Sequence, residues 1–167
     1  MSIELKQLAT FFQRYTTLDF RLISIDLECE EYSGSTCQLG PYPTKFRKAK
    51  VTPKKIGQFV TLWQRNAAGI TAPFQLTAPF DFYLIAVQQE EHFGFFLFPK
   101  AVLGEQHILT TPSKEGKRGF RVYPDWDTPT SKQAIQTQQW QDLYFINLTA
   151  DSAIAAEKVN TILNTYT

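Results

Sequence analysis

Two mostly apolar runs, residues 80–87 and 93–98, are joined by the polar tip Gln88-Gln89-Glu90-Glu91-His92. A strand with one face in water alternates apolar and polar side chains, whereas a strand apolar at nearly every position has both faces covered. The pair therefore predicts an antiparallel hairpin at the centre of a sheet, with a layer of structure on each side.

The remaining periodicities supply those layers. Leu5, Leu8, Phe11, Phe12 and Tyr15 recur at spacings of three and four, the inward face of an opening helix. Residues 21–30 alternate as a strand, with Leu22, Ile25, Leu27 and Cys29 set against Ser24, Asp26, Glu28 and Glu30. A turn at Ser33-Gly34-Ser35 leads to strands at 36–39 and 44–51; in the second, Lys45, Arg47 and Ala49 share one face and Phe46, Lys48 and Lys50 the other. Thr52-Pro53 is a helix-start signal, followed at helical spacing by Ile56, Phe59, Val60 and Trp63, which puts Lys54 and Lys55 in a first helical turn. Further on, the sequence predicts a short helix at 101–107, a polar loop at 110–119 and a strand at 120–123. A capping box at Thr130 and Gln133 then opens a helix over 131–140, before a strand at 143–148 and a helix at 152–163 with Ile154, Val159 and Ile162 or Leu163 inward.

These elements describe one α/β (α+β) domain over residues 1–167, a mixed and largely antiparallel central sheet flanked by helices. The 167 residues suffice to bury roughly 70 % of the surface of the unfolded chain. The apolar content of 43 %, with 14 Phe, excludes a disordered chain. Charged Glu4 and Lys6 interrupt what a signal peptide would need as an apolar core, and no run approaches membrane-spanning length, so a cytoplasmic location with no membrane partner is expected.

Charge is distributed unevenly. From Tyr32 to Phe80, 49 residues contain no Asp or Glu but carry Lys45, Arg47, Lys48, Lys50, Lys54, Lys55 and Arg65, a local +7 in a chain whose net charge is +1. Such a field attracts polyanions, nucleic acid in particular. A second basic stretch, Lys117-Arg118-Gly119-Phe120-Arg121-Val122-Tyr123, runs on to Trp126 and mixes cations with aromatic rings, a combination suited to phosphates and unstacked bases. Lys132 follows, and Asp125 and Asp127 oppose the trend.

Catalytic signatures are incomplete. Asp81 opens one central strand and Lys100 closes the next, the placement of the Asp and the Asp/Glu-x-Lys of restriction-endonuclease-like enzymes, but Phe98 occupies the position of the second acid. One carboxylate holds magnesium poorly. Cys29 and Cys37, eight apart, lack partners at zinc spacing, His92 and His107 lack a nucleophile, and there is no Gly-rich phosphate loop, so no metal or other cofactor is expected.

The segments 116–127, 131–134 and 137–140, with Gly34-Ser35-Thr36-Cys37-Gln38-Leu39, residues 52–60 and Phe98-Pro99-Lys100, resemble the MepB family across nearly the whole chain. That family takes its name from a product of a bacterial multidrug-efflux operon. The resemblance implies a restriction-endonuclease-like fold that contacts nucleic acid but lacks a working metal site. The leading expectation is non-specific binding of DNA or RNA, without catalysis, by Lys45, Arg47, Lys48, Lys50, Lys54 and Lys55 on one side and Lys117, Arg118, Arg121, Trp126 and Lys132 on the other. The alternatives are a metal-dependent nuclease, in which Glu28, Glu30 or Asp125 replaces the acid absent at position 98 beside Asp81 and Lys100, and a protein-interaction module that docks an acidic partner.

Overall fold

A computed structural model describes residues 1–166. In chain order they form α1 (Ile3–Tyr15), β1 (Phe20–Ile25), a 3-10 segment (Leu27–Tyr32), β2 (Ser35–Leu39), β3 (Tyr42–Lys48), β4 (Lys50–Val51), β5 (Gln58–Thr61), β6 (Trp63–Arg65) and β7 (Thr71–Pro73). The second half continues with β8 (Phe82–Gln89), β9 (His92–Pro99), α2 (Lys100–Glu105), β10 (Gly119–Val122), α3 (Lys132–Asp142), β11 (Phe145–Asn147) and α4 (Ser152–Tyr166).

Among the described residues the main sheet has six strands in the order β1-β2-β3-β8-β9-β11, antiparallel throughout except for the parallel pair β3–β8. The predicted hairpin is thus its centre. Period-two alternation sends Phe82, Leu84 and Ala86 of β8 and Phe93, Phe95 and Leu97 of β9 to one face, where they join Leu8, Phe12, Val159 and Ile162 of α1 and α4. Tyr83, Ile85, Phe96 and Phe98 point to the opposite face, into a second core with Val60, Leu62, Leu103 and Val122. Both faces are apolar because both are covered. Phe95 illustrates the packing, its ring centroid lying 5.7 and 5.6 Å from those of Phe11 and Phe12.

The crossover that makes β3 and β8 parallel carries β4 to β7, and here the helix expected from Thr52-Pro53 does not form. Residues 52–57 make a turn, with Lys54 at φ 65° and Gly57 at φ 85°, and β5 pairs with β10 and β4 in a second, three-stranded sheet. Long-range pairing with residues 119–122 and burial of Gln58 and Val60 on alternate positions outweigh the local helix-start signal. Smaller differences follow the same logic. The strand expected over 21–30 ends at Ile25 and turns into the 3-10 segment; α3 is capped by Ser131, whose Oγ accepts from Ala134 N, rather than by Thr130. In α4, Ala155 turns inward and Ile154 outward. The predicted faces of β3 are as expected: Phe46 enters the first core, and Lys45 and Arg47 lie on the other side.

Candidate functional site

The cations of the acid-free segment do not form one surface. Lys45 Nζ and Arg47 Nη1 both donate to Asp26 Oδ2, at 3.2 and 2.8 Å, and Lys45 also donates to Thr36 Oγ1 at 2.9 Å. Arg47 is 1 % exposed, its Nη1 donating to the Phe46 carbonyl while its buried Nε has no partner among the described residues. Gly34 makes room for it: an added Cβ would stand 2.6 Å from Cys29 Cβ and 3.1 Å from the Arg47 guanidinium carbon. Burial pushes the Asp26 carboxyl up, but the Arg47 and Lys45 charges outweigh burial and hold it below the ordinary carboxylate range. Lys48 pairs with Glu4 at 2.6 Å, Lys50 with Glu31 at 3.7 Å, and Arg65 with Glu28 at 3.4 Å. Acids from outside residues 32–80 neutralise most of the charge within them.

Around β10 the balance differs. A cleft of about 440 Å³ opens between β10 and α3, and a second of about 340 Å³ adjoins it, the two sharing Arg121, Tyr123, Ser131 and Ala134. Lys117 lines the first and Lys54 and Lys55 the second, and neither is lined by an Asp or Glu among the described residues. Lys132, exposed, is the residue that follows the Ser131 cap. Arg121 donates to the Ile56 and Gly57 carbonyls at 3.3 Å and to Thr52 Oγ1, all neutral acceptors, so its charge is held in place without being cancelled. Aromatic rings complete the walls: Phe120 and Trp140 lie 6.3 and 5.4 Å from Phe98, centroid to centroid, and Tyr123 packs on the residue 57 turn. A side chain at Gly57 would come within 2.8 Å of Tyr123 Cδ1, so that position requires glycine for both its φ and the approach.

The back wall is fastened by one amide. Fully buried Gln141 accepts from Tyr123 N at 2.8 Å and donates to the Arg121 carbonyl at 2.9 Å, fixing α3 against β10. Beyond the far side of α3 the charge reverses, with exposed Asp125 and Asp142 lining a separate recess. Asp127 is half-buried, and burial raises its carboxyl above the usual value in spite of the opposing effect of the nearby Gly57 backbone.

Of the sequence-predicted residues, the fold therefore gathers Lys54, Lys55, Lys117 and Arg121; Lys132, exposed beside Ser131, lines neither cleft. It separates Lys45, Arg47, Lys48 and Lys50 from them. Arg118 turns to the Thr71 carbonyl, at 2.9 and 3.2 Å, and to Glu115 at 3.8 Å. Trp126 is not in the cleft either; it stacks on His92 at 5.1 Å and donates to Gln89 Oε1. Asp81 and Lys100 are neighbours through a backbone bond, Lys100 N donating to the Asp81 carbonyl at 2.9 Å, but their side chains are engaged separately. The Asp81 carboxylate accepts from Tyr166 Oη at 2.7 Å, and the Lys100 ammonium donates to the Ala78 carbonyl at 2.7 Å. Burial, and then that Asp81 contact, push the Tyr166 hydroxyl up to about 12. Asp125 meets Asn147 rather than Asp81, and among the described residues no group of three or more His, Cys, Asp or Glu is placed to hold a metal ion. Phe98 is fully buried beneath Phe120 and Trp140, a platform for the cleft.

Sequence reasoning missed the cleft side of α3, contributed by Gln133, Thr137 and Trp140. The available signal was its composition: of the eleven residues in this helix only Gln141 is buried, so it has no apolar stripe to explain its docking.

No helix among the described residues is long and apolar enough to cross a membrane. Comparison with curated proteins finds no match. A crystal structure of MepB is similar in both sequence and fold, 34 % identical with a TM-score of 0.78, over 90 % of this chain and all of that one. The MepB-like family matches residues 26–147, which span β2 to β11 and every residue of the cleft. This α+β chain belongs to the MepB-like family.

Proposed function

We propose that this protein binds nucleic acid through the cleft between α3 and β10, without catalysis and without reading a specific sequence. The observation that carries the proposal is a pair of adjoining clefts with cations and aromatic rings in their walls and, among the described residues, no carboxylate in their lining. Phosphates supply the counter-charge that Arg121, Lys54, Lys55 and Lys117 lack among the described residues, and backbone contacts of this kind carry no sequence information. The engagement of the Asp81 and Lys100 side chains in internal hydrogen bonds supports a role without cleavage.

The test is a fluorescence-anisotropy titration of labelled oligonucleotides across a salt series. With Lys54, Lys55, Lys117, Arg121 and Lys132 each neutralising one phosphate, log K against log salt should slope by about −3.5 on single strands and about −4.5 on duplex. Scrambling the sequence should leave the affinity unchanged. A flat salt response, or no binding at low salt, overturns the proposal.

A further inference from the structure

Another recess lies between the 3-10 segment, β3 and the β6–β7 ribbon, and it shares no lining residue with either cleft. Its polar wall is the cluster of Asp26, Lys45 and Arg47, two cations on one carboxylate, which leaves one positive charge in excess. Arg47 makes the shorter contact, 2.8 Å against 3.2 Å, and is 1 % exposed; Lys45, 19 % exposed, presents the remaining charge to the recess. Cohesion does not account for this arrangement. A buried ion triad is seldom worth more to a fold than apolar side chains of similar volume. Here the triad is also unfinished, since the buried Nε of Arg47 has no partner among the described residues. A covered donor without an acceptor costs stability, and proteins carry such costs at functional sites. The facing wall is apolar. The Lys45 ammonium stands 5.5 Å from the centre of the Phe74 ring, Trp63 lines the same space, and Leu27 beside it is left 83 % exposed. Glu28, the other acid of the lining, faces Arg65 at 3.4 Å.

We propose that this recess binds a small ionised carboxylic acid, its carboxylate on Lys45 and Arg47 and its apolar body, an aromatic ring or a short branched chain, against Trp63, Phe74 and Leu27. The single excess charge matches a monoanion, and the apolar wall has no use for a bare inorganic ion. The volume of about 280 Å³ falls just below the roughly 300 Å³ at which small-molecule sites begin, so the acid has one ring or one branched chain. The Lys45 ammonium is met first. Because Arg47 Nε is covered, the second contact needs the side chains over it to draw back, a rotamer change common on binding. The rest of the site is set beforehand. Asp26 N donates to the Gly34 carbonyl and Gly34 N to the Cys29 carbonyl, both at 2.9 Å, and Thr36 Oγ1 donates to Asp26 Oδ1 at 3.1 Å. Groups fixed in this way lose little freedom when a ligand arrives.

The test titrates the full chain with phenylacetate, its neutral amide phenylacetamide, acetate and inorganic phosphate, following by NMR the backbone amides of residues 26–29 and 63–64 and the Trp63 indole N–H. Phenylacetate should give saturating shifts at these positions. It should bind about tenfold or more tightly than the amide, which lacks the charge, and than acetate, which lacks the ring. Lys45→Gln should remove most of the difference between acid and amide. Leu27→Ser, at an exposed side chain, should weaken phenylacetate and leave acetate unchanged. That variant keeps the charged cluster intact, so it decides the matter even if Lys45→Gln does not fold. Shifts that do not saturate or fall on other residues, equal affinity for acid and amide, or a stronger response to phosphate than to phenylacetate overturns the carboxylate site. Since the recess and the clefts have no lining residue in common, the nucleic-acid reading stands or falls separately.

Discussion

Arg47 and Arg121 are both strand residues whose guanidinium groups are held by several hydrogen bonds, and the two groups differ in what holds them. Arg47 is sealed beneath Gly34 and shares the Asp26 carboxylate with Lys45. Arg121 is held by two carbonyls and a hydroxyl, none of which carries charge. A buried cation next to a carboxylate is locked into the fold because removing either partner strands the other. A cation fixed by neutral dipoles keeps its field, and it is positioned before any anion arrives, so less ordering is needed on binding. The same residue type is thus neutralised in one region and left with its charge uncancelled in the other, and the deciding factor is a carboxylate that comes from a distant part of the chain.

The contrast can be broken in four places. The largest expected effect is at Asp26→Asn, which leaves Lys45 and Arg47 side by side without a counter-charge; urea unfolding should show a loss of about 3–5 kcal/mol, with oligonucleotide affinity unchanged while the protein stays folded. A loss under about 1 kcal/mol would place Asp26 with ordinary surface pairs. Next, Lys54→Glu with Lys55→Glu should lower oligonucleotide affinity by about thirtyfold and flatten the salt slope by about 1.5 to 2, with little change in stability, measured by the same anisotropy series and thermal melts.

The third lies in acid. The Asp26 carboxyl is held below its unfolded value, so its contribution is complete above the ordinary carboxylate range and is lost as the pH falls through the lower folded value. Asp127 has the opposite sign: its folded value is raised, so the fold favours its proton and gains stability as the pH falls through that value. Urea midpoints followed between about pH 3 and 7 should therefore show that Asp26→Asn removes part of the acid loss, while Asp127→Asn raises the midpoint at neutral pH and makes no difference once Asp127 is protonated. The smallest effect is expected at Lys50→Ala, whose exposed partner Glu31 lies 3.7 Å away; both stability and affinity should move by less than about 1 kcal/mol.

What could be foreseen followed what local chemistry determines. The hairpin of β8 and β9 was legible because an eight-residue run with both faces apolar has few other homes. The face of α1 was legible as far as Phe12, and Tyr15, at the exposed end of the helix, marks where the periodicity outran the core. The turn at 52–57 was not, because its partner strand lies at 119–122 and Thr52-Pro53 carries a helix-start signal that only tertiary pairing overrides. Half of the cleft was legible, since Lys54 and Lys55 belong to the acid-free basic run and Lys117 and Arg121 to a stretch that mixes cations with aromatic residues. The other half was hidden, because nothing along the chain indicates that Asp26, Glu4 and Glu31 fold back onto Lys45, Arg47, Lys48 and Lys50 while no acid among the described residues pairs with Arg121.

The pairing of β5 with β10 has one more outcome. Gln58 meets Val122, 64 positions onward, through a ladder of four residues, whereas the central hairpin joins neighbours through eight. Closing so long a loop is entropically unfavourable, and short ladders at the periphery open before doubly covered ones. Amide deuteration should therefore reach residues 58–61 and 119–122 well before 82–99, and ligand should slow it there first. In this molecule the rigid centre endures while the β5–β10 edge breathes.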